Sequence, residues 1–326
     1  MKDRVRPFGN AAIRMASMGS RLLRTRKAIS LVVLLVVIAA LSLFTSVPLL
    51  PHFGKPAKVV IVLGANKGGG VLQWKSAKDW DIEKISIANK KDYAKRHGYQ
   101  LVVKDMTARR KYSQEWREGW QKVDILKDAM RQFPKAEWFW WVDLNTYIME
   151  PQKSLDQLLF SKLDDLERDC YSYNPANLNL DLPFVDYNVP ISMILSQDCS
   201  GFSLGSLFLR RGEWTDLLLD VIWDPIFYGQ MYSQWGHIEQ SALEYLYNTE
   251  PWIRSATAFA PQRTINAYPP GACGDASDNS PVHYNEEDRD FIVNLAGCDW
   301  GRDCWSEMTG YQQKAKDLHR KRFFFF

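Results

Sequence analysis

The first 169 residues contain no cysteine, and the whole chain has only five: Cys170, Cys199, Cys273, Cys298 and Cys304. An odd number excludes complete pairing within the chain. None stands in the Cys-x-x-Cys spacing of a zinc knuckle. Cys298 and Cys304 are close enough in sequence to bridge in an oxidising lumen; for Cys170 and Cys199, buried thiols are the alternative. No Asn-x-Ser/Thr sequon occurs, so glycosylation gives no hint of compartment. No internal repeat is visible. Basic charge is missing from most of the chain as well. Residues 1–27 carry eight Lys/Arg against Asp3 alone, a net of +7, so a total of +3 leaves −4 for the remainder. A nucleic-acid-binding domain needs a basic face of its own, and this distribution excludes nucleic acid as the partner.

What is present is an ordinary globular balance, 46% apolar and 24% charged over 326 residues. Ala28 to Val47 (AISLVVLLVVIAALSLFTSV) runs twenty residues without a charge. At ~1.5 Å per residue it spans roughly 30 Å of hydrocarbon. It exceeds the ~7–15-residue apolar core of a cleaved signal peptide. The basic flank precedes it, so the positive-inside rule puts the N-terminus in the cytosol and the bulk of the chain in a lumen. The expected organisation is a cytosolic tail (1–27), a transmembrane signal anchor (28–47), a stem (48–57) broken by Pro48, Pro51, Gly54 and Pro56, a catalytic domain (58–310) and a C-terminal tail (311–326).

The domain opens with Lys58–Gly64 (KVVIVLG), an apolar run suited to a strand covered on both faces. The glycine-rich turn Ala65–Gly70 (ANKGGG) follows. Helices are expected over Ile82–His97, stopped by Gly98, and over Glu118–Phe133, stopped by Pro134. Strands are expected at Leu101–Lys104 and Trp138–Val142. Strands alternating with helices imply an α/β fold with a mostly parallel sheet, which binds ligands beyond the carboxyl ends of its strands. Further on, Ser154–Leu166 reads as helix, Asn174–Asp198 as a long surface loop, Phe202–Arg210 as strand, Glu213–Ile222 and Ile238–Tyr247 as helices, and Asp290–Leu295 as a late strand.

Asp143 stands just past the strand WFWWV, where a carboxylate can hold a divalent cation against a diphosphate. Two residues on, Asn145 offers an amide oxygen without a charge. The glycine turn, with Gly64, Ala65, Asn66 and Gly68, either cradles phosphate through its N–H groups or is a plain connection. Trp138–Trp141 either stacks a sugar or base, or is core. Glu239-Gln240 places an acid at a helix start, as a group facing the acceptor hydroxyl or the anomeric carbon, or as a helix N-terminal acid. His283 and Asn294 flank the late strand as further candidate ligands, His283 with a structural role as its alternative.

VVIVLGANKGGG, NKKDYAKRHGY, WQKVDILKDAM, EWFWWVDLNTYIMEP, FSLGSLFLRRGEW, EQSAL and DFIVNLAGC occur in the order and approximate spacing of glycosyltransferase family 34. Over about residues 58–310 the chain resembles the fungal Golgi α-mannosyl- and α-galactosyltransferases of that family. The resemblance implies a GT-A (Rossmann-like) fold, retention at the anomeric carbon, Mn²⁺ or Mg²⁺, a nucleotide-sugar donor and type II Golgi topology. It carries the family's Asp-x-Asp onto Asp143 and Asn145, its late metal-binding His onto Asn294, an Asn of the GSFLIR-like strand onto Ser203, and the acid of its Asp/Glu-Gln motif onto Glu239. Two of three expected metal ligands are therefore neutral amides, which implies a weakly held cation because hard-cation affinity tracks ligand charge. The implied activity is α-1,6-mannosyl transfer from GDP-mannose to N-glycan outer chains, with other mannosyltransferase subunits as partners. The alternatives are a scaffold subunit without catalysis and a galactosyltransferase using UDP-galactose.

Overall fold

The computed structural model describes residues 58–65, 76–105, 121–169, 184–222, 224, 238–275 and 280–323. Strand β1 (Val59–Ala65) is the expected apolar run, buried along its whole length. Helix α1 (Ala77–His97) begins a turn earlier than expected because Ser76 and Asp79 form a capping box: Asp79 N donates to Ser76 Oγ at 3.2 Å and Ser76 N to Asp79 Oδ2 at 2.8 Å. It stops at Gly98, whose φ of 68° is the left-handed conformation glycine takes without penalty. Strand β2 (Gln100–Asp105), helix α2 (Gln121–Gln132) and strand β3 (Trp138–Val142) complete a first unit in which β1 pairs in parallel with both β2 and β3.

Beyond it come β4 (Thr146–Ile148), α3 (Leu155–Leu158) and a 3₁₀ turn, Phe160–Asp165. The single helix expected over Ser154–Leu166 is thus divided, since Leu159 (φ −132°, ψ −58°) leaves the helical region. Next are β5 (Met193–Asp198), β6 (Gly201–Arg210), α4 (Glu213–Ile222), α5 (Ile238–Thr249), α6 (Pro251–Ser255), β7 (Thr257–Phe259), α7 (Gln262–Ile265), β8 (Ile292–Asn294) and α8 (Cys304–Phe323). The expectation of a surface loop over Asn174–Asp198 is corrected at its end: β5 is buried at all six positions. Its apolar start, Met193-Ile194-Leu195, is hidden in sequence by the Asn, Asp and Pro residues before it.

The main sheet has the order β2-β1-β3-β6-β5-β7, with β6 alone antiparallel to its neighbours, so it is mostly parallel as expected. The late strand β8 is not part of it and pairs instead with β4, Thr146 opposite Asn294. Alternate residues of β3 enter the two cores: Phe139 and Trp141 pack towards α2, α4 and α5, while Trp138 and Trp140 pack towards α1 and Phe291. Burial on both faces is why β1 and β3 read as unbroken apolar runs. A third cluster joins Met308 and Ala315 of α8 to Ile82 and Tyr147, and residues 311–323 of the expected tail lie in that helix.

Cys298 bridges Cys304, and Cys199 bridges Cys273 across 74 residues of sequence. Cys199 is therefore not a buried thiol, and Cys170 lies outside the described residues. Among the described residues no helix is long and apolar enough to cross a membrane, and the expected anchor, 28–47, lies outside them.

Candidate active site

From β1 the chain goes to β2 on one side and returns through α2 to β3 on the other. That reversal makes the carboxyl ends of β1 and β3 the place where parallel α/β sheets take ligands. Gly64 and Ala65 end β1 there, both buried. Asn66 and Gly68 lie outside the described residues. At the end of β3 stands Asp143, its side chain 41% exposed at the rim. Its N–H donates to Gly205 O at 2.8 Å, and Oδ1 accepts from Trp141 Nε1 at 2.7 Å. The four residues Trp138–Trp141 are at most 3% exposed, so they form core and no stacking platform.

Lys122 stands behind Asp143. Its amine lies 3.8 Å from Asp143 Oδ1 and 3.1 Å from Glu239 Oε1, and it donates to Leu204 O at 3.0 Å. Burial pushes the amine towards neutrality, but the two carboxylates outweigh it and hold the pKa above the usual lysine value. Glu239 and Gln240 thus meet the site from the start of α5, and Gln240 Oε1 accepts from Leu204 N at 3.4 Å.

The turn after Asp143 is gripped from below by α1. Ser86 Oγ donates to Leu144 O at 2.5 Å, and Lys90 Nζ donates to Ser86 Oγ at 2.7 Å and to Thr146 O. Asn89 exchanges two hydrogen bonds with the Ile148 backbone, at 3.0 and 2.8 Å. Lys90 is fully buried, and burial lowers its pKa well below the usual value against the pull of Asp143. Asn145, within this turn, is half-buried; its Nδ2 faces Cys298 Sγ at 3.8 Å, and its carbonyl accepts from Leu295 N at 2.7 Å.

On the other side of Gly205 runs a neutral network. Asn294 Nδ2 donates to Asn266 Oδ1 (2.8 Å), and Asn266 Nδ2 donates to Ser203 Oγ (2.7 Å). Tyr268 donates its hydroxyl to Asp198 Oδ2 (2.6 Å), so the Ser203 hydroxyl, 2.9 Å away, donates to Tyr268. Every donor points the same way, from Asn294 towards Asp198, and the amide oxygen of Asn294 is the open end. Burial, and then the Asp198 charge, drive the Tyr268 pKa well above that of a free phenol. Gly205 is bare where these groups converge: a Cβ there would overlap Asn294 Nδ2 and lie 3.2 Å from both Asn266 Oδ1 and Asp143 Oδ2.

Of the sequence candidates, Asp143 and Asn294 therefore share one locus over Gly205, with Glu239 joined to it through Lys122. Ser203 is 2% exposed and supports this locus from inside. His283 is excluded as a ligand: it is 5% exposed and both ring nitrogens are engaged, with Ser280 Oγ at 2.6 Å and Ala272 O at 2.7 Å. Among the described residues the one cluster of His, Cys, Asp or Glu with metal-like spacing is Cys298-Asp299-Cys304, and its cysteines are spent on a disulfide. A carboxylate suits a hard, oxygen-seeking cation, but one negative charge holds it weakly; the amide atoms fixed nearby are nitrogens, Asn294 Nδ2 over Gly205 and Asn145 Nδ2 towards Cys298. Sequence reasoning missed Lys122, Asn266, Tyr268 and Asp198. Only Lys122 left a trace, as a lysine on the apolar stripe of WQKVDIL.

Residues 55–305 match the galactosyl transferase GMA12/MNN10 family. The chain belongs to that family. Among GMA12/MNN10 members it is 56% identical over 272 residues to the probable alpha-1,6-mannosyltransferase MNN10 of Saccharomyces cerevisiae, covering 82% of this chain and 69% of the relative. It is 49% identical over 272 residues to a Schizosaccharomyces pombe protein named as an uncharacterized alpha-1,2-galactosyltransferase, covering 82% and 77%. A solved structure, a glycosyltransferase involved in glycosylation of the major capsid of PBCV-1, superposes with a TM-score of 0.52 at 14% identity over 78% of this chain and 98% of that one. That likeness shows a shared glycosyltransferase fold of the GT-A type, and family membership makes the chain a glycosyltransferase.

Proposed function

We propose that the chain is a retaining transferase that adds mannose from GDP-mannose, in α-1,6 linkage, to N-glycan outer chains in the Golgi lumen. The observation that carries this reading is the half-exposed Asp143 carboxylate at the carboxyl end of β3, with Lys122 linking it to Glu239. Identity of 56% to a probable alpha-1,6-mannosyltransferase supports the sugar and the linkage. Asp143, with the amide oxygens of Asn145 and Asn294, would hold Mn²⁺ or Mg²⁺, which neutralises the leaving diphosphate when bound. Lys122 supplies a second, fixed positive charge close by. Glu239 faces the donor sugar or the acceptor hydroxyl, and the leaving phosphate takes the acceptor's proton. The 28–47 anchor would hold the domain on the lumenal side as a single-pass type II protein, beside other mannosyltransferase subunits.

A second reading keeps the fold as a scaffold inside a mannosyltransferase complex. What favours it is the neutral chemistry at Asn145 and Asn294, together with a lysine already partnering Asp143 and Glu239. UDP-galactose as donor is supported by the 49% identical relative named as a galactosyltransferase.

Calorimetry of GDP binding with Mn²⁺ tests the site. The unsubstituted chain binds GDP in a metal-dependent way and Asp143→Ala loses that dependence; equal affinity in both rejects it. Transfer of labelled mannose by the isolated chain to an α-mannoside separates enzyme from scaffold.

A further inference from the structure

The Cys298–Cys304 disulfide closes a short loop that carries Trp300. At 88% exposed, Trp300 is the most open large apolar side chain among the described residues. Single exposed aromatics are common on protein surfaces, and what sets this one apart is its mount and its place. Trp300 N–H donates to Gly297 O at 2.9 Å, and Arg302 N–H to Cys298 O at 3.2 Å. Gly297 and Gly301, with φ of 67° and 91°, make the left-handed turns on either side. The Arg302 guanidinium donates back to Ala296 O at 2.8 Å. The bridge and these hydrogen bonds hold the loop's backbone, so the indole stands on a fixed base. The loop also borders the candidate site. Leu295 N–H donates to Asn145 O at 2.7 Å, and Cys298 Sγ lies 3.8 Å from Asn145 Nδ2. Two residues extend at most about 7 Å, so Trp300 stands within a short oligosaccharide's reach of Asn145 and the turn after Asp143.

The ring and its neighbour name the chemistry of the ligand. An indole face in water binds groups that bring an apolar surface of their own. Asp299, next in sequence and also exposed, offers acceptor oxygens and a negative charge. That charge repels phosphate, whether from a nucleotide or from a lipid headgroup. A neutral pyranose suits both residues, because its C–H face lies on the indole and its hydroxyls donate to the carboxylate. We infer that Trp300 is a platform for a hexose of the acceptor glycan remote from the point of transfer, so that the chain prefers an oligosaccharide long enough to reach both places. The inference rests on the reading of the chain as a transferase that extends glycans.

The test is binding of linear α-1,6-mannotriose to the full chain in detergent, measured by calorimetry beside GDP with Mn²⁺. Trp300→Ala is expected to weaken mannotriose binding about tenfold, the scale at which tryptophans stand out in binding surfaces. GDP affinity is expected to stay unchanged, which also shows that the variant is folded. Trp300→Phe keeps a ring face and is expected to retain most of the mannotriose affinity. Equal mannotriose affinity in Trp300→Ala and the unsubstituted chain overturns the inference and leaves the transferase reading standing. A GDP affinity that falls in Trp300→Ala also overturns it, because the ring then serves the nucleotide. So does a Trp300→Phe variant as weak as Trp300→Ala, because the aromatic face is then not what binds. Absence of mannotriose binding by the unsubstituted chain sinks the reading of the chain as a glycan-extending transferase, and the inference with it.

Discussion

Two regions meet over Gly205, and they solve the problem of burying polar groups in opposite ways. On one side Asp143, Lys122 and Glu239 carry full charges, and Asp143 remains 41% exposed. On the other, Asn294, Asn266, Ser203 and Tyr268 are buried and neutral, and their donors run in one direction to Asp198. The charged side keeps an opening where a ligand's charge can enter. The neutral side is satisfied internally except at its first amide oxygen, so it sets shape and position for its partner.

The contrast can be broken by substitution. The largest effect is expected from Lys122→Met, which leaves Asp143 and Glu239 without their shared cation. Removing one partner of a buried pair costs about 3–5 kcal/mol, to be read from denaturant unfolding, and GDP affinity falls with it. Next is Tyr268→Phe, which takes the hydroxyl from between Ser203 and Asp198 and destabilises by about 1–3 kcal/mol. GDP affinity is expected to hold in that variant. If Tyr268→Phe loses GDP as completely as Lys122→Met, the two sides are one unit and the distinction fails.

A separate effect concerns pH and is read as a slope. Burial, with Asp198 nearby, pushes the Glu244 carboxyl up to about 7, although the Phe202 N–H donates to it at 2.5 Å. A carboxyl raised in the folded state gives stability that is complete below its unfolded pKa and is lost as pH rises through the folded value. Thermal stability should therefore decline between about pH 4.5 and pH 7. Glu244→Gln should flatten that decline, and an unchanged slope in the variant would assign it to another group.

The charged side was the readable one. Asp143 follows an apolar strand whose burial on both faces leaves an unmistakable run, and Glu239 starts a helix. Cys298 and Cys304 were joined by proximity in sequence. The neutral side left no such mark. Asn266 sits in a connection after α7, Tyr268 looks like any core aromatic, and Asp198 ends a strand concealed behind a polar stretch. Their roles depend on contacts across 63 to 70 residues, which no local pattern records. The Cys199–Cys273 bridge, 74 residues apart, was hidden for the same reason. Lys122 lies between these cases: its helix was foreseen, but only the fold shows that the amine turns inward.

The grip of α1 on the turn after β3 bears on recognition in a different way. Ser86, Asn89 and Lys90 tie down the carbonyls of Leu144, Thr146 and Ile148. The entropy of ordering that turn is thus lost when the protein folds, and none remains to be lost when a ligand arrives. An incoming diphosphate meets a prearranged rim, so weakening this helix contact would slow capture and loosen affinity without touching a single ligand-facing atom.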